Sequence, residues 1–378
     1  RAPGSDTVQK ESAVKRIVLL LLVAACGGTY QAPPPVASIA LPDGSQLKPY
    51  DLTKPGKARP QGMAEAAGRV YVTLSNQRDT DTGPVNAGPG FLAAFTPSDG
   101  NVTLIDLGGG DGLQCQNPGF VRASADGYLY SPCSGNFSGT DRARAIVEVD
   151  PLANVVTRRA AIPNGRVPNG VAVTRTRIWT GDAFTTTVFS IDRTTLAADP
   201  TPPVPVDCAK TVFNYVADVM TIGGDVYALC GSNNSGELYR LDPDTGAVKA
   251  HVTVGPNPTE LAGLDDGRIA VVNAGDSTIS LVTPSGGTLT AQKVITLSHA
   301  DALQDVRAFG HILFTVASST NTAQRIDLDA QGGPKVVAEA NFGLNSGPYN
   351  ILPLDDTQAI VSNRGTNTIA AANWVTVK

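Results

Sequence analysis

The chain has 378 residues, with 39 glycines, 27 prolines, 17% charged and 42% hydrophobic residues, and a formal net charge of -5. So much apolar sequence excludes a disordered chain, and the glycine and proline content suits many short strands joined by tight turns. The acidic balance argues against a nucleic-acid partner, which needs a basic surface to neutralise phosphates.

In chain order, Lys10, Lys15 and Arg16 precede an unbroken apolar run from Ile17 to Ala25, and Cys26 follows it. The run matches the apolar core of a signal peptide and is too short to cross a bilayer as a helix. Val23-Ala24-Ala25-Cys26 resembles the lipobox of bacterial lipoproteins. The resemblance implies a leader over residues 1–25 and lipid attached to the Cys26 thiol. Gly27 stands where an aspartate would favour inner-membrane retention, so the expectation is an outer-membrane anchor, periplasmic or surface-exposed. Residues 27–35 are rich in glycine and proline and read as an extended tether. Residues 26–55 are expected to hold this tether and a closing strand.

From residue 56 to 378 the chain repeats. Gly68-Arg69-Val70-Tyr71, Gly127-Tyr128-Leu129-Tyr130, Gly224-Asp225-Val226-Tyr227, Gly267-Arg268-Ile269-Ala270 and Gly310-His311-Ile312-Leu313 are variants of one glycine-led strand. Ile178-Trp179 and Ala359-Ile360 fill the same place without the glycine. Pro60, Pro118, Pro168, Pro258 and Pro348 precede five of these strands, and the two long gaps each hold a unit that lacks the proline. The period is about 48 residues, one four-stranded propeller blade. A second turn recurs as Val149-Asp150-Pro151, Ile191-Asp192-Arg193, Leu241-Asp242-Pro243-Asp244 and Ile326-Asp327. Its recurrence identifies Asp242-Pro243-Asp244 as a turn and not a calcium loop.

The strand occurs seven times but this turn, in all its variants, only six, so the last unit lacks an outer strand. An open edge of that kind is aggregation-prone. The segment Val36–Leu41, or the stretch after it, is expected to fill the gap. The fold expected is all-β: a seven-bladed β-propeller closed by an N-terminal strand completing the last blade.

Cys115, Cys133, Cys208 and Cys230 form an even set beyond Cys26, which suits an oxidising compartment. Four cysteines allow three pairings. A cysteine stands three residues after equivalent tyrosines, Tyr130 and Tyr227, which favours Cys115–Cys133 and Cys208–Cys230. Without Cys-x-x-Cys or a histidine near in sequence, a zinc site finds no support.

With Tyr71-Val72-Thr73, Leu241-Asp242-Pro243-Asp244-Thr245-Gly246 and Gly255-Pro256-Asn257-Pro258 in place, the repeats resemble the YVTN-type β-propellers. That group lies within the quinoprotein-amine-dehydrogenase-like propellers. Leu74 replaces the asparagine of the family's strand, while Asn273 and Asn363 keep it. The resemblance implies a fold and says little of activity.

Nucleophile-elbow, phosphate-loop and dinucleotide motifs are all missing. Of His251, His299 and His311, the first is expected on an outer strand and the last packed within its strand. Only His299 sits in a lead-in between blades. Blade alignment puts Gln61, Phe120, Asn169, Tyr215, Asp218, Glu260, His299, Asp301, Asp305 and Asn350 at the channel face. The reading favoured is a non-enzymatic binding or scaffold protein of the cell envelope, with an envelope protein or glycan as partner, no cofactor, and membrane contact through the lipid anchor alone. The alternative is a metal-dependent lactonase or lyase, in which Glu260, Asp218, Asp305, Asn169 and Asn350 would hold calcium in the channel.

Overall fold

The computed structural model describes residues 37–377, except 43, 111, 113, 137–142, 163–165, 198–202 and 207–213. The expected leader and Cys26 lie outside these residues. Pro35–Lys378 is one compact unit. Its described residues contain strands and no helix.

Seven antiparallel sheets follow one another along the chain. Blade one runs through Pro60–Ala66, Arg69–Leu74, Phe91–Phe95 and Thr103–Asp106. Blades two to six begin with Arg122–Ala123, Pro168–Val173, Asn214–Ile222, Pro258–Gly263 and Leu303–Phe309. Blade seven holds Pro348–Pro353, Ala359–Asn363 and Thr368–Ala371, and its fourth strand is Ser38–Ala40. Ile39 pairs with Ile369, so the N-terminal strand completes the last blade as expected. Side chains reinforce the closure. The Met63 N–H donates to Asn350 Oδ1 at 3.0 Å, and the Arg59 N–H donates to Asn367 Oδ1 at 2.9 Å.

The lead-in prolines Pro60, Pro168, Pro258 and Pro348 each open the innermost strand of a blade, where a missing N–H costs least. Pro118 forms an isolated bridge to Cys133 just ahead of its strand. Blades four and six, which lack the proline, begin at Asn214 and Leu303.

The second strands are buried along nearly their whole length because each blade is sandwiched between two others. Successive side chains point to opposite faces. In blade one, Val70 and Val72 pack towards blade seven, with Ile39, Ile360 and Ile369. Tyr71 packs the other way, with Val121, Leu129 and Val147 of blade two. A separate apolar cluster fills each of the seven junctions between neighbouring blades.

Two additions depart from the plain repeat. Gln77–Thr80 and Gly83–Asn86 form a hairpin inserted between the second and third strands of blade one. Val375–Thr376 adds a fifth strand to blade six against Ala338 and Glu339. The disulfide Cys115–Cys133 is present, with the cysteine Cα atoms 5.3 Å apart. Cys230 is also disulfide-bonded, and Cys208 lies outside the described residues. Asp242 behaves as a turn residue: its Oδ1 accepts from the N–H groups of Asp244 and Thr245 at 3.1 and 2.9 Å.

Candidate functional site: the central channel

The innermost strands share a register irregularity that sets the channel. In six blades the ladder slips within the first three residues, at Pro60/Met63, Asn169/Ala172, Val216/Asp218, Pro258/Glu260, Leu303/Asp305 and Pro348/Asn350. A bulge re-aims the side chains next to it. Where the strands crowd, glycine is required: a Cβ on Gly170 would lie 2.3 Å from the Val219 nitrogen, and its φ is +68°.

A cavity of 150 Å³ opens at the end of the channel that carries the lead-ins. Its walls include Phe120, Asn169, Tyr215, Gln304, Tyr349 and Asn350, and Glu260 reaches it from below. Burial pushes the Tyr215 hydroxyl up to about 12, helped by Tyr349, so both it and the amides are neutral at physiological pH. The Tyr215 hydroxyl donates to Asn257 Oδ1 at 2.6 Å, and Asn169 Nδ2 donates to the carbonyls of Val216 and Ala217. These bonds hold the two side chains in place across neighbouring blades.

Beneath the cavity lies a cluster of five ionisable side chains. Arg122 of blade two reaches Asp218 Oδ2 at 2.6 Å and Glu260 Oε1 at 3.4 Å. Arg307 reaches the same Glu260 oxygen at 3.1 Å and Asp305 Oδ2 at 3.2 Å. Asp218 and Asp305 side chains are 0% exposed, and Glu260 is 6% exposed. Burial raises the Glu260 carboxyl well above the usual range, and the Asp305 and Asp218 charges add to this against the two guanidiniums. Burial raises Asp305 as well. Arg307 keeps its charge: burial opposes it, but Asp305 and Glu260 more than compensate.

The channel therefore brings together Phe120, Asn169, Tyr215, Asp218, Glu260, Asp305 and Asn350. It does not bring in His299 or Asp301, which are both exposed in the connection ahead of blade six. Gln61 is turned aside towards blade two, donating to Asn117 Oδ1 at 3.2 Å and to the Ser75 hydroxyl. His251 stacks on Tyr239 on an outer strand. His311, expected to be packed, is exposed, with its ring nitrogen 3.7 Å from Asp327.

Sequence reading missed Arg122 and Arg307. Arg307 stands two residues after Asp305 on the same strand, hence on the same face, and Arg122 two after Phe120. Following the two-residue alternation inward from the first channel residue would have found both.

The carboxylates do not fit a calcium site. Both Asp218 oxygens are engaged, Oδ1 by the Val219 N–H and Oδ2 by Arg122. Glu260 Oε1 and Asp305 Oδ2 also face guanidiniums, which would repel a cation. Among the described residues, no three acidic, histidine or cysteine side chains are grouped to hold a metal.

No protein-family model matches the chain, and no curated protein matches it. Solved structures do. Virginiamycin B lyase from Staphylococcus aureus is similar with a TM-score of 0.60 at 14% identity, over 84% of this chain and 95% of that one. A putative 6-phosphogluconolactonase from Bacteroides fragilis gives 0.58 at 16% identity, over 82% and 94%. The β-propeller domain of Cps50 from Myceliophteria thermophila gives 0.61 at 13% identity, over 85% and 98%. At these identities the likeness concerns the fold: the chain is a seven-bladed β-propeller with a polar channel.

Proposed function

We propose that this protein is an exported, lipid-anchored β-propeller of the YVTN type that binds a cell-envelope ligand at the mouth of its channel without transforming it. The observation that carries this reading is the pairing of a small cavity, walled by amides and aromatic rings, with carboxyls already engaged by Arg122 and Arg307. A pocket with rigid rings and a few convergent polar groups is suited to recognition. The rival, a metal-dependent lactonase or lyase, draws support from the fold it shares with proteins described by those activities. The engaged carboxylates count against it.

The test is a screen of the purified protein against immobilised bacterial envelope saccharides, alongside a Tyr349→Ala, Gln304→Ala variant. Binding by the wild type, weakened at least about tenfold in the variant, supports the reading. Calcium-dependent turnover of a lactone, lost in Glu260→Ala, overturns it in favour of the enzyme.

A further inference from the structure

The charges beneath the cavity do not balance as drawn. Asp218, Glu260 and Asp305 would carry three negative charges against the two positive charges of Arg122 and Arg307. An uncompensated charge is strongly disfavoured where water is excluded, and such a group takes up a proton instead. Geometry gives the proton a place. Glu260 Oε1 and Asp305 Oδ2 both lie against the Arg307 guanidinium, at 3.1 and 3.2 Å, so two buried carboxyls converge on one cation. Asp305 Oδ2 accepts from the Ile351 N–H at 2.8 Å and from Arg307. Asp305 Oδ1 is fully buried and has no N–H or other assigned donor among the described residues.

We infer that Glu260 and Asp305 hold one proton between them, carried on Glu260, so that the cavity ends on a neutral carboxylic acid matched to an uncharged, hydroxyl-bearing ligand such as a sugar ring. With that proton the five groups sum to zero, and neither a cation nor an anion gains from approaching them. The ligand class follows from the walls. Phe120, Tyr215 and Tyr349 offer aromatic rings, one face of Tyr349 lying under the Arg364 guanidinium at 4.5 Å, and Asn169, Gln304 and Asn350 offer neutral amides. The titratable and charged groups facing Glu260 are Arg122 of blade two, Asp218 of blade four, and Asp305 and Arg307 of blade six. Tyr215 and Tyr349 stand above it in the cavity wall. The choice of ligand rests on the channel-binding reading; the shared proton does not.

Two measurements test the inference. First, carbon-13 NMR of protein labelled at glutamate side-chain carboxyls, with Glu260 assigned by the signal missing in Glu260→Gln. A neutral-acid resonance is expected at pH 7, and a resonance titrating in the ordinary glutamate range overturns the shared proton. The Gln variant should melt at or above the wild type at pH 7, because it keeps the neutral floor while only the wild type gains on unfolding by releasing a proton. A large drop points to an ionised Glu260 and also overturns it. Second, calorimetric titration with the methyl glycosides of glucose, galactose, mannose and N-acetylglucosamine, set against glucosamine, gluconate and calcium. At least one neutral glycoside is expected to bind about tenfold or more tightly than every charged probe. A charged probe binding as well overturns the ligand class and leaves channel binding standing. No binding by any probe, together with a failed saccharide screen, removes both.

Discussion

The Tyr71 hydroxyl of blade one donates to the Pro151 carbonyl in blade two at 2.7 Å. The relationship recurs two blades on, where Trp179 Nε1 donates to the Pro243 carbonyl at 2.8 Å. In both, an aromatic residue on the second strand reaches the outer turn of the next blade, so the recurring Asp-Pro turn is a docking point as well as a bend. Tyr71→Phe removes only the donor and leaves a buried carbonyl poorly served. It should cost about 1–2 kcal/mol, read as a lower urea midpoint at unchanged slope.

The Cys115–Cys133 disulfide closes a short loop within blade two, with a sequence separation of 18. Loss of this constraint on the unfolded chain should cost about 3 kcal/mol. Denaturation of a Cys115→Ser, Cys133→Ser variant, compared with the oxidised wild type, checks the figure.

Removing one partner of the Arg122–Asp218 pair strands the other without its counter-charge. Arg122→Met should destabilise by about 3–5 kcal/mol. The double variant Arg122→Met, Asp218→Leu should recover much of that loss, because an apolar pair of similar bulk carries no desolvation cost. A double-mutant cycle in urea measures both effects.

Stability should also fall with rising pH on account of Glu260. Its pKa is raised in the folded chain above the reference value of 4.5, so the folded state holds a proton that the unfolded state releases first. The contribution is complete below about 4.5 and is lost as pH climbs through the folded value. Thermal melts across that window should show a downward slope in the wild type that flattens in Glu260→Gln.

The repeat was legible because every blade has two neighbours. Strands such as Ile269–Asn273 and Ala359–Asn363 are buried throughout and read as continuous apolar runs. The outer strands are half exposed, as Val248–Val254 and Thr288–Thr296 are, and carry a weaker pattern. Neither the inserted hairpin beginning at Gln77 nor the added strand Val375–Thr376 repeats, so periodicity could not announce them. At the site, the lead-in prolines located Glu260 and Asn350. Blade six lacks that proline, and counting back from its strand took in His299 and Asp301, which precede a turn with Ala302 at φ +55°. Arg122 and Arg307 escaped because an arginine on an inner strand looks like an exposed residue until its partners on other blades are known.

The closure of blade seven sets a condition on how the molecule comes into being. The contact between Arg59 and Asn367 spans 308 residues, and the pairing of Ile39 with Ile369 spans still more of the chain. The earlier strand must wait for one made long after it. Folding dominated by such distant partners is slow. Until the final blade emerges, the ring has two raw edges and an unclaimed apolar seam, which a chaperone or a protease can read as unfinished. A ribosome that stops one blade early therefore leaves an open arc with its latch hanging loose, and not a slightly smaller propeller.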